Sequence, residues 1–342
     1  MIIRMVNDFE ETFWGKKLDR DNEIKLKNLL YLKKKLLAYL VASRLVNILN
    51  LSAFLLLGMW YAVGYFPVRS TILMIFFLIM FQFVHLTNMV FDKKLDIFAR
   101  KNTIWIFKYL SPKEMLIVSG MCFFLGLFIL WFINIAVFIA GAVLLIINIL
   151  YDTPPIRFKT KPPLDSISNM LELGTLPFLV GWLSTNAQFN MDALIYGLIL
   201  GLSVITYYLI ASWQDIKTDT EFGIKTTCTL LGYDWTINIG LFMWILLIFS
   251  SFFVFYVDII TISFVIVFPV LTYMFIKYKK QTEYKNREKN LNFFLAISDT
   301  IWTCFIYLSL IYVSKSVIPL IFFILSLTFS LKMCIAFFLR RT

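Results

Sequence analysis

The sequence predicts an all-α membrane protein: a bundle of nine to ten transmembrane helices around a central cavity open to the cytoplasmic side. Three observations carry that prediction. Hydrophobic residues fill 60% of the positions and charged residues 15%, where a soluble domain holds about 45–50% and about 25%. Residues 117–149 contain no charged side chain; the run is too long for one bilayer crossing of about 20 residues and reads as two helices with a tight turn near Phe132 to Asn134. The charge that remains is gathered in every second loop between apolar stretches.

The first element, residues 1–35, is a basic cytoplasmic segment. Leu26, Leu29, Leu30 and Leu32 lie beside Lys25, Lys27 and Lys33 to Lys35. That pattern suits an interfacial helix on the inner leaflet and equally a solvated positive flank. The first uninterrupted apolar run follows Lys35, behind mixed charge, so the N-terminus does not read as a signal peptide. Apolar spans follow at 36–65, 70–91, 114–132, 133–151, 166–185, 192–213, 236–256, 259–277, 292–313 and 317–339. The last is a tenth span, or half of a re-entrant or interfacial hairpin that leaves nine. No linker rich in Pro, Gly or Ser divides the chain, so residues 36–315 form one membrane domain and 316–342 an additional C-terminal helix.

The charged loops are 16–35, 92–114, 157–161, 215–225, 277–289 and the terminal Arg340 and Arg341. The intervening loops at 63–70, 132–134, 184–192, 256–259 and 314–316 are short and nearly uncharged. Positive charge is retained on the cytoplasmic side, which places both termini and the charged loops there, in the cell membrane. The net charge of +11 therefore faces the lipid bilayer, and no nucleic-acid partner is expected. The cysteines at 122, 228, 304 and 334 lack metal-ligand spacing and read as reduced core residues.

Two of the charged loops begin with matched carboxylates. Asn88, Asp92 and Asp96 recur every four residues at the end of the second span, and Asp215 and Asp219 repeat that spacing at the end of the sixth. On a helix each set stacks along one face. Both sets lie at the cytoplasmic ends of helices that run in the same direction. If those helices face each other, four carboxylates meet at one cavity mouth and repel. A divalent cation relieves that repulsion, and Mg²⁺ suits one or two carboxylates plus phosphate oxygens. Two such ions would bridge the protein to a diphosphate. The competing reading, solvated helix ends at the membrane surface, suits one Asp pair better than two matched ones.

Between the fourth and fifth spans lies Tyr151-Asp-Thr-Pro-Pro-Ile-Arg157-Phe-Lys159. Its prolines predict a stiff, extended loop in which Arg157 and Lys159 point to one side. Arg can hold a diphosphate by two hydrogen bonds, Lys acts as a point charge, and Tyr151 can donate a phenolic hydrogen bond. The same loop also reads as a positive-inside anchor with proline breakers.

These residues resemble the motifs of the UbiA-type intramembrane prenyltransferases over roughly residues 40–315. Asn88, Asp92 and Asp96 match the family's N-D-x-x-D-x-x-x-D, with Met89 where Asp is frequent. Asp215, Asp219, Gly223 and Thr226 match its D-x-x-x-D motif followed by Gly and Thr or Ser. The segment from Tyr151 to Lys159 looks like its Y-S-x-P-P-x-R-x-K, with Asp152 where Ser is common. The resemblance implies that Asn88, Asp92, Asp96, Asp215 and Asp219 hold Mg²⁺. It implies that Arg157, Lys159, Lys225 and Tyr151 bind an isoprenyl diphosphate, and that an allylic carbocation is captured by a hydrophobic acceptor. Quinone precursors, carotenoids, glycerol-phosphate lipids and tetrapyrroles are the acceptor classes. Asp165-Ser-Ile-Ser-Asn169 resembles the carotenoid-elongating and archaeal-lipid branches, and reads otherwise as a helix N-cap with a polar first turn.

Smaller signals complete the reading. His85, the only histidine, lies one turn before Asn88 and is a candidate acceptor contact, a candidate proton relay, or a hydrogen-bonded helix residue. Arg44 and Asn47 lie in the first span and are candidates for the acceptor side. Two other functions compete: a cation-coupled transporter using intramembrane carboxylates, and a catalytically degenerate prenyl-lipid-binding member, for which Met89 is the sequence support.

Overall fold

The computed structural model describes residues 20–42, 45–67, 69–98, 104–255, 258–280, 300–316, 318–321 and 323–324. Those residues are helical throughout, with short connections and no strand among them. The helices are α1 Arg20–Ala42, α2 Leu45–Val63, α3 Arg69–Phe98, α4 Pro112–Trp131, α5 Ile135–Asp152, α6 Leu164–Met170, α7 Leu176–Ser184, α8 Met191–Ser212, α9 Ile216–Phe222, α10 Thr227–Phe255, α11 Ile259–Lys280 and α12 Thr300–Ser314. A π-helical turn, Leu171–Thr175, joins α6 to α7.

Five stretches among the described residues are long and apolar enough to cross a membrane: Ile72–Phe98, Pro112–Trp131, Ile135–Asp152, Met191–Phe222 and Thr227–Phe255. Their outer faces are apolar and uncovered. Phe124 on α4 is 70% exposed, and Phe128 and Ile139 are exposed beside it, a surface suited to lipid.

Local chemistry sets the ends of these helices. Ser111 caps α4 by accepting from the Glu114 amide at 3.1 Å, with Pro112 at the first position. Asn134 accepts from Val137 N at 2.8 Å and starts α5 directly after α4, which is the tight turn expected in the uncharged run. The same Asn134 donates to Leu183 O at 3.0 Å, tying that turn to the end of α7. Asn190 caps α8 through Ala193 N at 2.9 Å.

Close backbone approach organises the interior. A Cβ on Gly58 of α2 would stand 2.1 Å from Phe178 O, and one on Gly181 of α7 would stand 2.1 Å from Leu55 O. Only glycine at both positions lets α2 and α7 pack this tightly, the usual device where lipid removes the hydrophobic drive between helices.

The first expected span, 36–65, falls on α1 and α2, and residues 43 and 44 between them lie outside the described residues. Ala38 and Ala42 of α1 are buried with Leu86, Met89, Ile106, Leu110 and Met115. Lys35 and Tyr39 on α1 also meet Glu114 at 2.7 and 3.0 Å. The structure corrects one expectation, the extended proline loop. Most of the expected tenth span, the first part of the ninth and residues 1–19 lie outside the described residues.

Candidate active site

A cavity of about 280 Å³ opens among α3, α5, α6, α8 and α9. Asn88 and Asp92 enter it from α3, because that helix continues past the apolar run to Phe98 and keeps the two on one face. Asp215 enters from a 3-10 turn after α8, and Asp219 from α9. α9 ends at Gly223, whose φ of 76° stops the helix directly after the motif. Tyr151 and Asp152 come from the end of α5, Lys159 from the proline loop, Asn169 from α6 and Glu172 from the π-helical turn. Phe81, Val84 and Leu173 form the apolar part of the wall.

The proline loop is not extended. Arg157 is left-handed at φ 41° and caps a 3-10 turn, Phe158–Thr160. Arg157 N donates to Thr153 O at 3.0 Å and Lys161 N to Phe158 O at 2.9 Å, so the loop folds on its own backbone. Folding brings both cations to one carboxylate. Arg157 Nη2 donates to Asp92 Oδ1 at 2.7 Å, and Lys159 Nζ donates to Asp92 Oδ2.

Asp92 is 3% exposed, so these two charge-assisted bonds stand where water is scarce. Burial opposes the charge on Lys159, but Asp92 and Asp152 beside it raise its pKa above the ordinary value. Asn88 Nδ2 donates to Asp92 Oδ2 at 3.1 Å and to Asp152 Oδ1 at 2.7 Å, linking α3 to α5. The Tyr151 hydroxyl accepts from Asn169 Nδ2 at 3.0 Å, which leaves its own proton for a ligand.

Not every expected residue reaches the cavity. Asp96 is buried one turn beyond Asp92 and is not part of the wall. Lys225 is exposed and also outside it, while its neighbour Thr226 lines the cavity. Arg157 acts through Asp92. His85 is in the wall with its ring 5.8 Å from that of Phe81. Arg44 lies outside the described residues, and Asn47 is described only as a backbone position of α2. Met89 is 2% exposed within the apolar cluster against α1, turned away from the cavity.

Asp165 does not cap its own helix. Its carboxylate accepts from Tyr208 Oη at 3.0 Å and Thr227 N at 2.7 Å, and also from Thr227 Oγ1. This buried carboxyl group thus caps the N-terminus of α10 and ties it to α6 and α8. Sequence reasoning missed Glu172 and Tyr208. Glu172 carried a signal, as the only charged residue within 166–185, and an ionisable group inside an apolar span is a functional candidate by default.

Asn88, Asp92, Asp215 and Asp219 offer hard oxygen donors from two helix ends to one cavity, the chemistry Mg²⁺ prefers. Among the described residues no three His, Cys, Asp or Glu side chains cluster tightly enough to hold an ion unaided. The set therefore fits a cation that shares its coordination with a ligand or water. Arg157 and Lys159 meet the Asp92 oxygens that such a cation would meet.

Comparison with known proteins bears on the family and the fold. Residues 51–300 match the model of the UbiA prenyltransferase family. The chain is 33% identical over 100 residues to the lycopene elongase/hydratase of Haloarcula japonica, a stretch covering 29% of this chain and 33% of that protein. The match therefore spans about a third of that relative's length. A UbiA homologue from Archaeoglobus fulgidus bound to GPP and Mg²⁺ superposes with a TM-score of 0.60 at 19% identity, over 79% of this chain and 99% of that one. The apo UbiA homologue from Aeropyrum pernix K1 gives 0.60 at 17% identity, over 77% and 97%. At these identities the structural likeness speaks for the fold. The elongase relative agrees with the carotenoid-branch resemblance of Asp165-Ser-Ile-Ser-Asn169.

Proposed function

The chain belongs to the UbiA prenyltransferase family, and from that premise we propose that it transfers a prenyl group from an isoprenyl diphosphate to a hydrophobic acceptor. The observation that carries the reading is one cavity into which Asn88, Asp92, Asp215, Asp219 and Lys159 all project, with an apolar wall beside them. Bound at the two motifs through Asn88, Asp92, Asp215 and Asp219, two Mg²⁺ ions would neutralise the diphosphate as it leaves.

The protein's own residues do the rest. Lys159, which lines the cavity and pairs with Asp92 in the donor-free protein, turns to the diphosphate oxygens when the donor binds, while Arg157 keeps its hold on Asp92 Oδ1. Tyr151, oriented by Asn169, donates its hydroxyl proton to the same group. Phe81, Val84 and Leu173 exclude water from the allylic cation. Similarity to lycopene elongase/hydratases supports a polyene as the acceptor. The alternation of charged and uncharged loops supports nine or ten crossings, with the cavity facing the cytoplasm.

The test is diphosphate release by purified protein in nanodiscs, with and without Mg²⁺, across prenyl donors of several lengths. Candidate acceptors are screened together by mass spectrometry. Mg²⁺-dependent release with a prenylated polyene is expected. No release from any donor, by protein shown to be folded, overturns the reading.

A further inference from the structure

Asp152 and Glu172 line the cavity without a part in the donor site, and of the two Asp152 is held by Asn88. Glu172 lies eight residues beyond Leu164, the first residue of α6, roughly 12 Å along the helix at 1.5 Å per residue. Its side chain lines the cavity and is 3% exposed, and its Oε2 has no hydrogen-bond partner among the described residues. The charged groups that act on it are Asp152 and Lys159.

The wide turn that carries Glu172 is held from behind. A Cβ on Gly174 would stand 2.7 Å from Gly201 Cα of α8, and one on Gly201 would stand 2.2 Å from Thr175 Oγ1. The turn therefore packs directly on the α8 backbone at Gly201. π-Helical turns are uncommon and frequently mark functional sites. A buried carboxylate oxygen without a partner is costly, so its retention calls for a group that meets it during the working cycle.

Prenyl transfer supplies such a group. The electron pair of the donor C–O bond leaves with the diphosphate. The acceptor's π pair forms the new C–C bond and leaves a cation on the adjacent carbon. A neighbouring C–H pair then closes a double bond, and one proton must depart. Among the cavity's carboxylates, Asp92, Asp215 and Asp219 belong to the diphosphate end and Asp152 is held by Asn88, which leaves Glu172, whose Oε2 has no hydrogen-bond partner among the described residues. Resting on the prenyl-transfer reading above, we propose that Glu172 is the base that takes this proton, a carboxylate becoming a carboxylic acid.

The experiment compares the full chain in nanodiscs with its Glu172→Gln and Glu172→Asp variants. It uses a polyene acceptor carrying hydrogen or deuterium at the carbon that loses the proton. Glu172→Gln should form prenylated product at least about 100-fold more slowly, yet bind a non-cleavable prenyl thiolodiphosphate with Mg²⁺ within about threefold of wild type. Glu172→Asp should recover part of the rate with a larger deuterium isotope effect than wild type. A Glu172→Gln enzyme at wild-type rate, an isotope effect unmoved in Glu172→Asp, or lost analogue binding in Glu172→Gln overturns the assignment. A wild-type protein that forms no prenylated product fails at the prenyl-transfer reading itself and takes this assignment with it. That result is distinct from a working wild type matched by its variants.

Discussion

The Arg157 guanidinium donates to Asp92 Oδ1 at 2.7 Å, joining the proline loop to the first aspartate motif. With Lys159 on the other oxygen, the carboxylate is neutralised by a loop whose Lys159 lines the cavity where the phosphate would bind. Asp92→Asn keeps the shape and removes the charge that both this pairing and a cation require. Turnover should fall by about 100-fold or more, with the protein still eluting as a folded species. Near-normal product formation by Asp92→Asn, or by Asp215→Asn in the second motif, would sink the two-motif site.

Lys159 should matter through the donor. Lys159→Ala should raise KM for the prenyl diphosphate by roughly 10- to 100-fold, as loss of a charged phosphate contact does. Lys217→Ala is the control: its side chain is exposed and stands 3.9 Å from Glu221 outside the cavity wall. Equal effects of the two substitutions would reduce the proline loop to a membrane anchor.

Removal of divalent cations should abolish turnover, because Asp215 and Asp219 meet Asp92 and Asp152 around one cavity. Added Mg²⁺ should restore it, with a rate that rises more steeply than occupancy of a single ion allows. A rate indifferent to chelation would remove the metal from the mechanism.

The spacing of the two aspartate motifs was legible, and it keeps Asn88 and Asp92 on one face of α3, but Asp96, expected on that face, stays out of the wall, and Asp215 sits on a 3-10 turn before the helix that carries Asp219. The proline loop was only half legible. Its cations were visible, but Arg157 at φ 41° reverses the chain and no local residue type announces that. The partners of Asp165 were not legible, since Tyr208 and Thr227 lie 43 and 62 residues away and meet it only through packing of α6, α8 and α10. Glu172 stood in plain view as a lone charge in an apolar span, and the aspartate spacing drew attention away from it.

Asp165 should be a stability residue. It is fully buried and accepts three hydrogen bonds from two other helices. Asp165→Ala leaves the Tyr208 hydroxyl and the Thr227 amide and hydroxyl without their partner, at about 1–3 kcal/mol for each buried group. The variant should unfold at a clearly lower temperature in detergent. Unchanged thermal stability would mean that water replaces the carboxylate and the three helices are held elsewhere.

Met89 offers the sharpest separation between a degenerate site and an intact one. If it had replaced a metal ligand, restoring Asp would add a carboxylate to the cavity and raise turnover. The structure turns it the other way: Asn88 and Asp92 line the cavity, and Met89, rotated about 100° from Asn88, packs on Ala38, Ala42, Leu86, Ile106, Leu110 and Met115. An Asp there would bury a charge among apolar side chains, a cost of at least about 3 kcal/mol unless α1 lifts away. Met89→Asp should therefore lower the unfolding temperature and leave turnover no higher than wild type. A stable Met89→Asp protein with tenfold faster, Mg²⁺-dependent turnover, an order-of-magnitude gain of about 1.4 kcal/mol, would show that α3 presents this position to the metal and that α1 packs differently in the membrane.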